Sequence, residues 1–95
     1  MKGGWTYMMA DRYRGTIYTG VTAKLAARIV QHREDPKGFV ARYKLDRLVL
    51  AERHEEIQDA IAREKALKKW LRAWKIRLIE EKNPDWLDRF EDLNK

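Results

Sequence analysis

The sequence predicts a small α+β domain in the order β-β-α-β-α-α, on three observations. Two short runs rich in aromatic and β-branched residues, WTYMMA (5–10) and GTIYTGV (15–21), flank a polar DRYR loop, which is the pattern of a hairpin. Leu48, Val49 and Leu50 are contiguous within LDRLVLAER (45–53), as in a strand covered on both faces. The segments between and after these runs carry apolar residues at three- and four-residue spacing, the period of amphipathic helices. Three strands of this kind form one mixed or antiparallel sheet with helices packed on it.

The hairpin comes first. A four-residue loop pairs Ala10 with Gly15, and that register sets Tyr7 opposite Tyr18, both on one sheet face. Thr22 then serves as N-cap of a helix over 23–34, whose Leu25 and Ile29 form the buried stripe. Arg28 and His32 sit one turn apart along the edge of that stripe. Asp35, Pro36 and Gly38 end the helix, and the basic FVARY stretch (39–43) forms a short helical turn before the third strand. A long helix over about 55–71 and a second over 73–82 follow. NPDW breaks the chain, with Asn83 as cap and Pro84 at the first position of a last short helix over 84–93.

The 95 residues form a single domain, 1–95. There is neither Cys nor Ser, which excludes disulfides, thiolate metal sites and Cys or Ser nucleophiles. No apolar run approaches a membrane span and the N-terminus lacks a signal-peptide pattern, so a cytoplasmic protein with no membrane partner is expected. The net charge of +6 favours an anionic partner. Its placement is uneven: residues 63–77 carry seven basic groups and one acid, while 51–62 and 78–95 are net acidic.

That one acid is Glu64. On the helix wheel it falls inside the apolar arc of Ile57, Ala60, Ile61, Leu67 and Leu71, where a carboxylate is unfavourable unless paired or bound to a metal. It is either one side of a structural salt bridge or a ligand for a hard divalent cation in a phosphate-attracting site. Tyr7, Tyr18, Arg28 and His32 add groups that exchange protons and clamp phosphate, an inventory suited to phosphodiester hydrolysis. Trp70, Trp74 and Trp86 read as core packing between the C-terminal helices.

These residues resemble the GIY-YIG nuclease family, in particular its compact single-domain bacterial members, and the resemblance spans nearly the whole chain. The family's Gly-Ile-Tyr strand is matched by Trp5-Thr6-Tyr7 and its Tyr-Ile-Gly strand by Tyr18-Thr19-Gly20. Its arginine and following histidine match Arg28 and His32, and its metal-binding glutamate matches Glu64 in AIAREKALKKW. WKIRLIEEKNPDW also looks like the compact members. Trp5 and Thr6 replace the first Gly-Ile, Val21 stands where some members have a lysine that Lys24 would replace, and Lys75 and Ile76 stand where some have an asparagine.

The resemblance implies a central three-stranded antiparallel sheet flanked by helices. It implies an endonuclease using a single Mg²⁺ or Mn²⁺ ion on Glu64, with Tyr7, Tyr18, Arg28, His32 and Glu64 converging on one scissile phosphate. The DNA partner is expected to be branched, flapped or single-stranded, with Lys24, Arg42, Lys44, Lys68, Lys69, Arg72 and Lys75 along the phosphate backbone. The alternatives are a nucleic-acid-binding module of the same fold with little or no catalysis, and a protein-interaction domain using the acidic C-terminal segment and the tryptophans.

Overall fold

The structure is a computed structural model and describes residues 3–35, 38 and 43–94. Strands β1 (Gly4–Ala10), β2 (Ile17–Thr22) and β3 (Arg47–His54) form one antiparallel sheet in the order β2-β1-β3. Helices α1 (Leu25–Glu34), α2 (Ile57–Lys68) and α3 (Arg72–Lys82) complete the expected α+β order, and a 3₁₀ helix over Phe90–Asn94 ends the described chain. The turn expected over 39–43 lies almost wholly outside the described residues, and Arg42 with it.

The central strand β1 is covered on both sides, which is why Tyr7, Met8, Met9 and Ala10 are all fully buried. Tyr7 and Met9 pack with Leu25 and Ile29 of α1, Leu45 and Leu48 on one face. Met8 and Ala10 pack with Val49, Leu50, Leu67, Ile79 and Trp86 on the other, under α2 and α3. The contiguous Leu48-Val49-Leu50 run has a local cause. A register shift between Met8 and Met9 pairs Met8 with Leu50 and Met9 with Leu48, so Val49 is an extra, bulged residue. Leu48 therefore faces α1 while both Val49 and Leu50 face α2 and α3.

The hairpin register differs from the expectation. Ala10 pairs with Ile17, not Gly15, and Tyr7 lies opposite Gly20 while Tyr18 lies opposite Met9. The loop is longer because Asp11 Oδ1 accepts the Thr16 N–H at 2.8 Å and Arg12 O accepts the Gly15 N–H at 3.0 Å, holding Arg14 at φ 52. A slip of two residues preserves the alternation of faces, so Tyr7 and Tyr18 still share the α1 side.

Two expected caps are also corrected. Thr22 does not cap α1; its Oγ1 accepts the Lys24 N–H at 3.1 Å, a turn that hands the chain to a helix starting at Leu25. Asn83 does not start a helix at 84. Its buried amide donates to Val49 O at 3.1 Å and Leu87 O at 2.9 Å and accepts from the Leu87 N–H at 3.0 Å. That bracket lets Trp86, at φ 57, sink fully into the core with its indole N–H on Glu80 at 2.8 Å. The chain then crosses the β3 edge, where Leu48 gives its N–H to Asp88 and accepts one from Arg89, and Phe90 and Leu93 close the α1 layer.

Candidate active site

Tyr7 stands at the centre of the sheet, and its phenol extends across the neighbouring strand at Gly20. A Cβ on Gly20 would lie 2.6 Å from both the Tyr7 Cζ and hydroxyl and 2.9 Å from Tyr18 Cε2. Glycine is required there for close approach. The Tyr7 hydroxyl lies 2.7 Å from His32 Nε2. The three rings form one cluster, with centroids 6.2 Å apart for Tyr7–Tyr18, 6.0 Å for Tyr7–His32 and 5.4 Å for Tyr18–His32. Arg28, one turn before His32 on α1, donates to Gln31 Oε1 at 2.8 Å.

The electrostatics of the cluster follow from burial. Tyr7 is pushed up to about 12 by burial and then by Tyr18, with the Arg28 guanidinium opposing. His32 is pushed below its ordinary value by burial and then by Arg28, against a smaller upward pull from Asp35. At neutral pH the pair is therefore a protonated phenol beside a neutral imidazole.

Glu64 occupies the other layer. It is 9% exposed on the sheet-facing side of α2 with Ala60 and Leu67, as its place in the apolar arc implies. Its Oε2 pairs with Lys68 Nζ at 2.5 Å. Helix α2 lies mainly across β1 and β2. On the same side of β2, the buried Thr19 Oγ1 has no hydrogen-bond partner among the described residues. Tyr7, Tyr18, Arg28 and His32 thus come together on the α1 side of the sheet, while Glu64 belongs to the α2 layer, which crosses β1 and the edge strand β2.

A family model for the GIY-YIG catalytic domain matches residues 3–77. The chain belongs to the GIY-YIG family. GIY-YIG domains are nuclease-type domains that act on DNA, generally with a divalent metal. No curated protein and no solved structure gives a significant match.

The donors of this GIY-YIG chain fit such an ion in one way. No group of three His, Asp or Glu side chains converges among the described residues. Glu64 is a single hard oxygen ligand, and the unpartnered buried Thr19 hydroxyl faces the same side of the sheet; the remaining positions are left to water and phosphate, as Mg²⁺ and Mn²⁺ accept.

The expected DNA contacts are placed unevenly. Lys24, Lys44, Lys68, Lys69 and Arg72 are exposed and Lys75 is half-buried. Arg72 has a structural tie as well, donating to Arg14 O and Gly15 O at 2.6 Å and holding α3 against the hairpin loop. Gln31 orients Arg28, and the only signal for it in the sequence is its three-residue spacing from Arg28. No helix among the described residues is long and apolar enough to cross a membrane.

Proposed function

We propose that this GIY-YIG protein is a metal-dependent endonuclease that hydrolyses DNA phosphodiester bonds, directed by the form of the DNA or only loosely specific. The observation that carries this reading is the 2.7 Å contact between Tyr7 and His32 beside Tyr18 and Arg28, in a chain with the family's domain.

The attacking water gives its proton to the Tyr7 oxygen while the Tyr7 proton passes to His32 Nε2, so a free phenolate never accumulates. That relay answers the high Tyr7 and low His32 proton affinities, because the imidazole is neutral and ready to accept. The Arg28 fork pairs with the non-bridging phosphate oxygens, where charge grows as the water oxygen attacks phosphorus. Tyr18 packs against both Tyr7 and His32 and fixes their planes. Glu64 is the residue that would hold Mg²⁺ or Mn²⁺, which supplies charge neutralisation at the phosphate and the leaving oxygen.

The test is cleavage of end-labelled flap, branched, single-stranded and duplex DNA with Mg²⁺ or Mn²⁺. Discrete products that vanish on chelation and in Tyr7→Phe support the reading. A protein that binds these substrates and cleaves none of them in either metal supports the alternative, a DNA-binding module. The Lys68 ammonium held on Glu64 is the observation that favours that alternative.

A further inference from the structure

The basic stretch 63–77 contains a feature that phosphate binding alone does not use. Trp70, Trp74, Leu78 and Glu81 follow one another at four- and three-residue steps, so they line one side of the turn into α3 and the helix itself. With Arg77 they enclose a shallow groove of about 260 Å³. Trp74 is 48% exposed and the adjacent Leu71 63% exposed, which is unusual for such large apolar side chains.

Trp74 is nonetheless held in place. Its ring meets Trp70 edge-on at 6.1 Å and 82°. Trp70 is covered in turn by the Arg63 guanidinium, 5.1 Å from its ring centre, and Arg63 is clamped by both carboxylate oxygens of Glu52 at 2.9 and 3.2 Å. The Trp74 indole N–H has no hydrogen-bond partner among the described residues, whereas that of Trp86 is bonded to Glu80. Arg77 lines this groove opposite its one acid, Glu81, Arg63 covers Trp70, and the exposed Lys69 directly precedes Trp70 in the chain.

We infer that Trp74 is a stacking platform for an unpaired nucleobase, making single-stranded DNA the strand form that α3 recognises. This rests on the nuclease reading for its ligand, DNA, and adds the form of the strand. A pre-oriented aromatic face flanked by cations provides what single-strand binding needs: a surface for any base and charge for the backbone. A protein partner fits less well, because protein interfaces are depleted in lysine and in charge at their centre, and Trp70 and Trp74 lie within a stretch, 63–77, of seven basic groups and one acid.

The experiment measures binding without metal, so that catalysis plays no part. Wild type, Trp74→Ala and Trp74→Phe are titrated with an oligothymidylate, an abasic oligomer of the same length and a blunt duplex. Stacking on Trp74 predicts that Trp74→Ala weakens the oligothymidylate about tenfold and leaves the duplex within about twofold, with Trp74→Phe intermediate. On wild type alone, the abasic oligomer should bind about tenfold more weakly than the oligothymidylate. Equal binding of the two oligomers, or an oligothymidylate affinity indifferent to Trp74, overturns the platform while duplex binding and cleavage leave the nuclease reading standing. A Trp74→Ala change that only dissociates a dimer overturns it in favour of a second copy on this face. If wild type binds neither oligomer nor duplex, the nuclease reading falls with the platform.

Discussion

The hydroxyl of Tyr7, a fully buried residue of the central strand, lies 2.7 Å from Nε2 of His32 on α1. A buried phenol normally bonds to a carbonyl or to water; here its partner is an imidazole kept neutral by the same burial. The pair is poised for proton transfer in a way that neither residue is alone.

Tyr7→Phe keeps the ring and its packing but removes the hydroxyl, so cleavage should fall on the order of 10²-fold with DNA binding retained. The rate should rise with pH as His32 loses its proton, with the inflection below 6.5 because its native value is lowered. The stability sign agrees. Around that pH the unfolded chain binds more protons at His32 than the native state, so stability falls as pH drops from above 6.5 toward the lowered native value. His32→Gln should abolish the acid limb of the rate profile; a limb that survives unchanged would assign it to another group.

Gly20→Ala places a methyl 2.6 Å from the Tyr7 hydroxyl, so the phenol must shift to admit it. Overpacking of this kind costs about 1–3 kcal/mol, and the displaced phenol should lose its bond to His32. Thermal melts and cleavage assays check both effects together, and a variant that is wild-type in both would mean the strand–tyrosine contact is soft.

Binding to DNA should weaken by on the order of 10²-fold or more between about 50 and 200 mM salt, as phosphate contacts release counterions. Lys69→Glu is a cleaner charge reversal than Lys68→Glu, because Lys68 is already tied to Glu64. It should weaken binding whatever the DNA sequence. An affinity insensitive to salt would point to a protein partner.

The parts of the site set by local spacing were legible in the sequence. Arg28 and His32 share a helix edge because they are one turn apart, and Glu64 lies in an apolar arc for the same reason. The three strands follow from three apolar runs, and even the two-residue register slip leaves both tyrosines on one face. What escaped the sequence depends on contacts between distant segments. Asn83 reads as the cap of a following helix, but Val49, bulged out of β3, supplies the carbonyl that its amide bonds. Trp74 reads as core, but the helix ends at Lys68 and Trp74 is 48% exposed. Periodicity on α2 likewise places Glu64 against the sheet without saying which face of the sheet that is.

Glu64→Gln tests the central claim most directly, since it keeps size and helix propensity and removes the charge a hard divalent ion requires. Its partner Lys68 is 54% exposed, so breaking the pair strands no buried cation, and stability should hold or rise. If Glu64 holds the metal, cleavage with Mg²⁺ or Mn²⁺ should drop on the order of 10²-fold or more while metal-free DNA binding changes little. A Glu64→Gln protein that cleaves as well as wild type, and melts at a lower temperature, would show that the carboxylate serves the fold and not the reaction.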